Sequence, residues 1–420
     1  MINSAAIFIE SNTTGSGADF LLRAPELGLV PIFVTASTER YSFLSRISDL
    51  ELRQCDTSSE TAVRAVIDSI AATTPIALLT TSSDFYLYTA ALEARRLGLS
   101  GPDPNAIALC QDKDRQAAAL RMAGIGVPYS ATVRAECDIG NAIKQIGVPA
   151  VAKPISGTGS IGVTLAETET GAGDALRKLL GTTKDVRGRA IQPGALLMSY
   201  VAGEEYSVEI LDSKIIGVTR KHLGHLPHFV EVGHDIPAPI SSKLRAKIEN
   251  EALRAIQVLG HAKGPAHVEL RVGEDRVTII EVNPRLAGGS IPTLFRYTTG
   301  FDPVLAVLRS LLGMSPPALA GGAHGSIRFI VPERDGFFTL PPNCEQLVDR
   351  FGVTEFVLYQ TPPLQFRRCN DFRDRIGHVI AVGDDPAAVA RRAEAAVAFI
   401  LGACGEIVAE HRPHQIDSSS

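Results

Sequence analysis

Residues 265–290 read PAHVELRVGEDRVTIIEVNPRLAGGS, and this stretch decides how the rest of the chain is understood. Its first half alternates: Ala266, Val268, Leu270 and Val272 fall on one face, His267, Glu269 and Arg271 on the other. A period of two is the signature of a half-buried strand. Gly273-Glu274-Asp275-Arg276 reads as a turn and Val277 to Val282 as a returning strand. A three-residue loop centred on Asp275 would set Glu269 opposite Glu281, with Asn283 on the same face as Glu281. Two carboxylates and an amide make an oxygen-rich patch suited to Mg²⁺, which takes carboxylates together with phosphate oxygens. Arg285 follows in a Pro-bearing turn, and Gly288-Gly289 lets backbone approach a ligand. The plain alternative is an exposed hairpin with acids on its wet face. It explains less well why Glu281 interrupts the apolar run Thr-Ile-Ile-Glu-Val.

Working outward, the 420 residues leave room for two or three domains. A net charge of −5 without a long basic run, and the absence of Trp, argue against nucleic-acid binding and against an anionic membrane surface. No apolar run reaches the roughly 18 residues of a membrane span. MINSAAIFIE lacks a basic n-region, so a cytoplasmic protein is expected rather than an exported one. Cys55, Cys110, Cys137, Cys344, Cys369 and Cys404 are scattered without C-x-x-C spacing and read as reduced thiols.

Upstream, apolar runs at 5–10, 31–35 and 76–80 alternate with helical stretches, including 60–72, and imply a parallel sheet. The loop at 11–17 does not match G-x-G-x-x-G, so a tight turn is preferred to a dinucleotide site. Gln111-Asp112-Lys113 opens a helix to Met122, and the strand 148–153 ends on Lys153. The next loop holds Ser156, Gly157, Thr158, Gly159, Ser160 and Gly162, whose backbone N–H groups could converge on phosphate. Its spacing is not that of a Walker loop, and a surface hairpin is the alternative. Met198, Ser199, Tyr200 and Val201 end a strand, Gly203 turns the chain, and Glu205 could meet ribose hydroxyls. His222, His225, His228, Glu231 and His234 recur every three residues. Gly224 and Pro227 break any helix that would align them on a metal, so a polar lid or substrate loop is expected, with Glu231 and His234 its main contributors. An amphipathic helix spans 241–259, another 302–312, strands crowd 326–382, and a long Ala-rich helix capped by Asp384 or Asp385 runs to about 402, before a polar tail.

Lys113, Lys153, the small Gly-rich loop, Gly203-x-Glu205, Glu269 and Glu281-x-Asn283-x-Arg285, in that order, resemble the nucleotide site of ATP-grasp enzymes. The run PHFVEVGHDIPAP followed by IIEVNPRLAGGS is most similar to the carboxylate–amine ligase branch that includes bacterial L-amino acid (dipeptide) ligases. The resemblance implies an α/β and α+β architecture: an ATP-grasp fold behind an N-terminal parallel α/β domain and before a C-terminal β-rich module. The divisions expected are 1–104, 105–189, 190–320 and 321–420. It also implies roles. Lys113, Lys153 and the loop residues Ser156, Gly157, Thr158, Gly159 and Ser160 would hold ATP phosphates. Met198, Ser199, Tyr200 and Val201 would meet adenine, and Glu205 the ribose. Glu269, Glu281 and Asn283 would carry Mg²⁺, with Mn²⁺ able to take its place. Arg285 would bind the substrate carboxylate or acyl phosphate, and Glu231, His234, Gly288 and Gly289 would line the acceptor pocket. Many relatives have an acid where Met198-Ser199 stands, which would leave adenine's amino group to backbone carbonyls.

The chemistry expected is ATP-dependent joining of a carboxylate, an amino acid, to an amine through an acyl phosphate, with Arg285, Lys153, Glu231 and His234 acting on the reacting groups. A carboxylase working through carboxyphosphate and a non-catalytic nucleotide-binding regulator remain the alternatives. The partners expected are small molecules, with neither nucleic acid nor membrane. The trailing module would shape either the pocket or a homodimer interface.

Overall fold

A computed structural model of the chain describes residues 4–403 apart from 156, 158, 186, 189–190, 192, 274–275 and 341–345. The first sheet is parallel throughout, in the order Glu51–Gln54, Val30–Thr35, Ala5–Ile9, Ile76–Thr80. Its central strand Ala5–Ile9 is buried along its whole length, as a sheet covered on both faces requires. Helix Glu60–Ala71 covers one face through Val63, Ile67 and Ile70, and Ser59 caps it by accepting from the Ala62 N–H. The short strand 51–54 was not read from the sequence, because ELRQ carries no apolar pattern. The loop after the first strand is a tight turn occupied from outside: Arg187 donates to the Ser11 carbonyl at 2.6 Å.

A second, antiparallel sheet holds Ser130–Val133, Ala195–Ser199, Ala150–Pro154 and Thr164–Ala166. The third is antiparallel and eight-stranded, in the order Val277–Asn283, Pro265–Val272, Glu204–Leu211, Lys214–Leu223, Glu231–Ile236, His324–Ile330, Gly377–Gly383, Glu355–Leu358. Strands from the last part of the chain therefore extend the sheet that carries the acidic hairpin. A two-stranded ribbon pairs Gly336–Phe338 with Leu364–Phe366. Helix Pro386–Ala403, capped by Asp385, covers the far end of the large sheet through Val389, Ala393, Ala396 and Ile400.

The hairpin's apolar face is core. Ala266, Val268 and Leu270 pack with Ile248, Ala252, Ala255 and Ile256 of helix Ser242–Val258. Each fully buried Val, Leu or Ile there contributes about 1.5–3 kcal/mol. Helix Pro303–Leu311, capped by Asp302, packs onto Phe8, Phe20 and Leu21 of the parallel-sheet unit. This packing fixes that unit against the large sheet. No described helix is long and apolar enough to cross a membrane.

Two expectations change here. The polar loop expected over 221–234 shrinks to 224–230, since Lys214–Leu223 runs on to 223 and the next strand starts at Glu231. The residues His222 and His234 lie on adjacent strands rather than in a lid, and His222 is tied to Asp235 at 2.6 Å. The three-residue hairpin loop is replaced by one spanning 273–276, because Val272 pairs with Val277. A bulge at Ile280 then restores the expected facing of Glu269 and Glu281.

Candidate active site

Helix Lys113–Met122 starts at an Asp112 cap and lies against the hairpin. Gln116 locks it there: its amide donates to the Cys110 and Val282 carbonyls at 2.7 and 2.8 Å and accepts from the Val282 N–H at 2.9 Å. The lock places the Lys113 ammonium 2.9 Å from one Glu281 oxygen and 3.1 Å from the Gly157 carbonyl. Lys153, at the end of its strand, sits 4.0 Å from the other Glu281 oxygen. Burial pushes the Lys153 pKa down, with Lys113 adding to the push against the pull of Glu281. Two lysines thus crowd one carboxylate at the mouth of the Gly-rich loop. Beside them lies a narrow cleft of ≈ 10 Å³, lined by Lys113, Lys153, Leu196, Met198, Ile279 and Ile280.

Of the loop residues, Gly157, Gly159 and Ser160 are described, whereas Ser156 and Thr158 lie outside the described residues. Gly159 has φ +69°, and a Cβ there would lie 2.5 Å from the Phe372 ring of the C-terminal segment. At the hinge, Ser199 and Tyr200 have already given their N–H groups to Tyr129 and Pro149 carbonyls. The Val201 carbonyl accepts from Arg271 at 2.8 Å. Gly203 turns where no side chain fits, a Cβ there meeting the Val272 carbonyl oxygen at 2.2 Å.

The polar face of the hairpin is buried rather than wet. His267, Glu209 and Arg271 are each under a tenth exposed. At its centre stands Lys221, its side chain 1% exposed, with carboxylate oxygens of Glu231, Glu205 and Glu269 at 2.6, 3.2 and 3.3 Å. Register explains the gathering: Glu205 stands beside Lys221 on one side and Arg271 on the other. Arg271 holds the second Glu205 oxygen at 3.0 Å, so a ribose hydroxyl would have to share oxygens already taken. Burial opposes the Lys221 charge, but Glu231, Glu269 and Glu205 hold it well above its ordinary value. His267 donates to Glu209 at 2.9 Å on one side and reaches Glu269 at 3.0 Å on the other. Burial pushes that imidazole down, yet Glu209 and then Glu269 hold it up to about 9. Burial would raise Glu269, but Lys221 and His267 keep it well below the usual carboxylate range.

Asn283 projects beside Glu281, opposite His267. Glu269, Glu281 and Asn283 are hard oxygen donors on one sheet face, which is the chemistry Mg²⁺ accepts. In the present arrangement the lysines and His267 neutralise them. Among the described residues there is no group of three or more His, Cys, Asp or Glu poised as a metal cage, so phosphate oxygens would have to complete any coordination.

Arg285 points back to the parallel-sheet unit and pairs with Asp84. Burial works against its charge, but Asp84, with Glu269 and Glu281 behind it, holds the guanidinium above its ordinary value. Beyond it, Gly288 has open space where a side chain would stand, and Gly289 (φ +59°) presses on His234. Glu231 gives one oxygen to Lys221 at 2.6 Å and the other to Arg375 at 2.7 Å. Burial would raise its pKa, yet Lys221, Arg375 and His234 hold it well below the usual range. Burial pushes the fully enclosed His234 down to about 3. As placed, neither group is set to take a proton near neutrality.

Reasoning from sequence assembled Lys113, Lys153, Glu269, Glu281, Asn283 and Arg285 around one site; the fold brings Lys113 and Lys153 to Glu281, sets Glu269 opposite Glu281, and pairs Arg285 with Asp84. That reasoning missed Lys221, Asp84, His267 and Arg375. Only His267 left a signal, as a polar residue beside Glu269 on the alternating polar face of its strand.

Residues 146–293 match the ATP-grasp domain family, and residues 328–401 match L-amino acid ligase C-terminal domain 2. The y4rH protein of Sinorhizobium fredii is 28% identical over 91% of this chain and 79% of its own length. Carnosine synthase 1 of Gallus gallus is 30% identical over 58% of this chain, but this chain spans only 28% of that protein. The crystal structure of an L-amino acid ligase from Bacillus licheniformis superposes with a TM-score of 0.78 at 19% identity, covering 96% of this chain and 98% of that one.

Proposed function

We propose that this chain, a member of the ATP-grasp superfamily with an L-amino acid ligase type of C-terminal domain, is an ATP-dependent carboxylate–amine ligase acting on amino acids in the cytoplasm. The observation that carries this reading is the meeting of Lys113 and Lys153 at Glu281, which itself faces Glu269 across the hairpin. In the reaction a carboxylate oxygen attacks the γ-phosphorus of ATP, ADP leaves, and an acyl phosphate forms. The amine nitrogen then attacks the acyl carbon, phosphate departs, and an amide forms with loss of a proton.

Lys113 and Lys153 exchange Glu281 for phosphate oxygens when ATP enters, which places positive charge where negative charge is spread in phosphoryl transfer. Glu269, Glu281 and Asn283 would hold a Mg²⁺ ion, or Mn²⁺, which would supply charge neutralisation at the phosphates. Arg285 holds the donor carboxylate beside Asp84. Gly157 and Gly159 cover the phosphates while the segment behind Gly159 keeps water from the acyl phosphate. Glu205 braces Arg271 and the adenine hinge. The four units divided at 104, 189 and 320 belong to the same proposal.

The test is phosphate release by purified protein with ATP, Mg²⁺ and paired amino acids, with the amide product read by mass spectrometry. Glu281→Ala is expected to cut release by about 100-fold or more, the scale of several kcal/mol of lost charge stabilisation. No release above background with any pair, or an unchanged Glu281→Ala variant, overturns the reading. Release that depends on bicarbonate instead identifies the carboxyphosphate route.

A further inference from the structure

The turn 369–375 reaches the Gly-rich loop from the C-terminal segment and is held by its own hydrogen bonds. Asp374, fully buried, accepts from the Cys369 and Asn370 N–H groups at 2.6 and 2.8 Å. Its Phe372 lies against Gly159 of the Gly-rich loop. Three residues on, Arg375 reaches Glu231. Its Nε donates to the Glu231 carbonyl at 3.0 Å and its Nη2 to the Glu231 carboxylate at 2.7 Å. The guanidinium carbon stands 4.2 Å from the Phe329 ring centroid. Two nitrogens and one face of the guanidinium are thereby spent, and its plane is set.

The third nitrogen, Nη1, has no hydrogen-bond partner among the described residues. It lies 3.6 Å from the point a Cβ on Gly289 would occupy, next to Gly288, whose own side is open. Neither ring nitrogen of the buried His234 beside it has a hydrogen-bond partner among the described residues. Hydrogen-bonding capacity is therefore unspent at one place, at the end of the Arg285–Gly289 turn where an amine would approach the acyl carbon. The other cations nearby are engaged: Lys221 by three carboxylates, and Arg285 by Asp84 and, in the ligase reading, by the donor carboxylate.

We propose that Arg375 is a specificity residue whose Nη1 receives the carboxylate of the amine-bearing substrate, so that the acceptor is an amino acid rather than a simple amine. This rests on the ligase reading above. Glu231 acts here as a positioning residue, holding the guanidinium edge-on so that the remaining N–H groups face the ligand. A planar fork fixed on two sides loses little freedom on binding a carboxylate, which a lysine ammonium at the same place could not match.

The experiment compares each acceptor amino acid with its carboxamide, which keeps the amine and removes the anion. KM is measured with ATP and donor saturating, and binding is measured separately by calorimetry. Arg375→Ala is expected to raise KM for the amino acid about 10- to 100-fold while leaving KM for the carboxamide within about threefold, the scale of one charged hydrogen-bonded contact. The wild-type preference for acid over amide then collapses. Arg375→Lys gives an intermediate ratio, and it reads the same quantity should the alanine variant fail to fold. An acid-to-amide ratio unchanged in either variant overturns the proposal while turnover keeps the ligase. Calorimetric preference for the acid that depends on Arg375, without turnover on any pair, keeps this subsite and sinks the ligase.

Discussion

Replacing Lys221 with methionine perturbs the buried hub at its centre while roughly conserving volume. In the native chain the ammonium, 1% exposed, neutralises Glu231, Glu205 and Glu269 from 2.6, 3.2 and 3.3 Å. Without it, Glu205 retains Arg271, Glu231 retains Arg375 and Glu269 retains His267, but three carboxylates face one another across an uncharged side chain. Removing one member of a buried ionic cluster costs about 3–5 kcal/mol. That is a large share of the 5–15 kcal/mol typical of a folded domain. At a urea slope of about 3 kcal/mol per M, the unfolding midpoint should fall by about 1 M or more at pH 8. The pH dependence carries the sharper test. Burial would raise the Glu231 and Glu269 pKa values, but Lys221 leads the groups that hold both below 4.5. Depressed carboxylates contribute stability above their unfolded pKa and lose it as pH falls through the folded one. In the variant the folded values rise, so these groups accept protons in the native state near pH 5, and the gap to wild type should narrow there by at least about 1 kcal/mol, the scale of a one-unit shift. Urea titrations of both proteins at pH 8 and pH 5 measure it. A midpoint at pH 8 indistinguishable from wild type, or a gap equal at the two pH values, would refute the hub as the source of charge balance.

Two further outcomes are expected. His267 is held up to about 9, above its ordinary 6.5, so its contribution to stability is complete below pH 6.5 and is lost as pH rises through about 9. His267→Gln should flatten that decline in urea midpoints between pH 6 and pH 9.5, and an unaltered decline would assign it to other groups. Gly159→Ala strains a φ of +69° and drives a methyl group into the Phe372 ring. A left-handed residue costs roughly 1–2 kcal/mol, so ATP affinity should drop about 5- to 30-fold. Adding Phe372→Ala should recover part of it, and strict additivity of the two changes would mean that ring and loop do not communicate.

Much of the site was legible because it is local. Period-two alternation separates Glu269 from the core face of the hairpin, and a strand ending in Lys153 or a helix opening at Lys113 follows from nearest neighbours. Even the facing of Glu269 and Glu281 was recovered, although through compensation: the loop is longer than read and the bulge at Ile280 restores the register. Nothing in Thr-Ile-Ile-Glu-Val announces a bulge. The 221–234 segment misled for a related reason. Gly224 and Pro227 suggested a loop across the whole segment, whereas sheet neighbours pulled both ends into strands and left 224–230 as the loop.

By itself, then, the sequence determined which residues lie on the cleft side of each strand and helix, because side-chain direction is a property of local backbone geometry. Tertiary structure alone decided what those residues are bound to. Arg285 meets Asp84 across 201 positions of chain, and Arg375 meets Glu231 across 144. Such pairs arise from the docking of separate units, driven by apolar faces such as that between helix Pro303–Leu311 and the parallel sheet, which no local pattern encodes. The charge state of the site follows the same division. Lys221 is an ordinary surface-type residue in the sequence, and it becomes the centre of the network only because four strands lie side by side and exclude water around it.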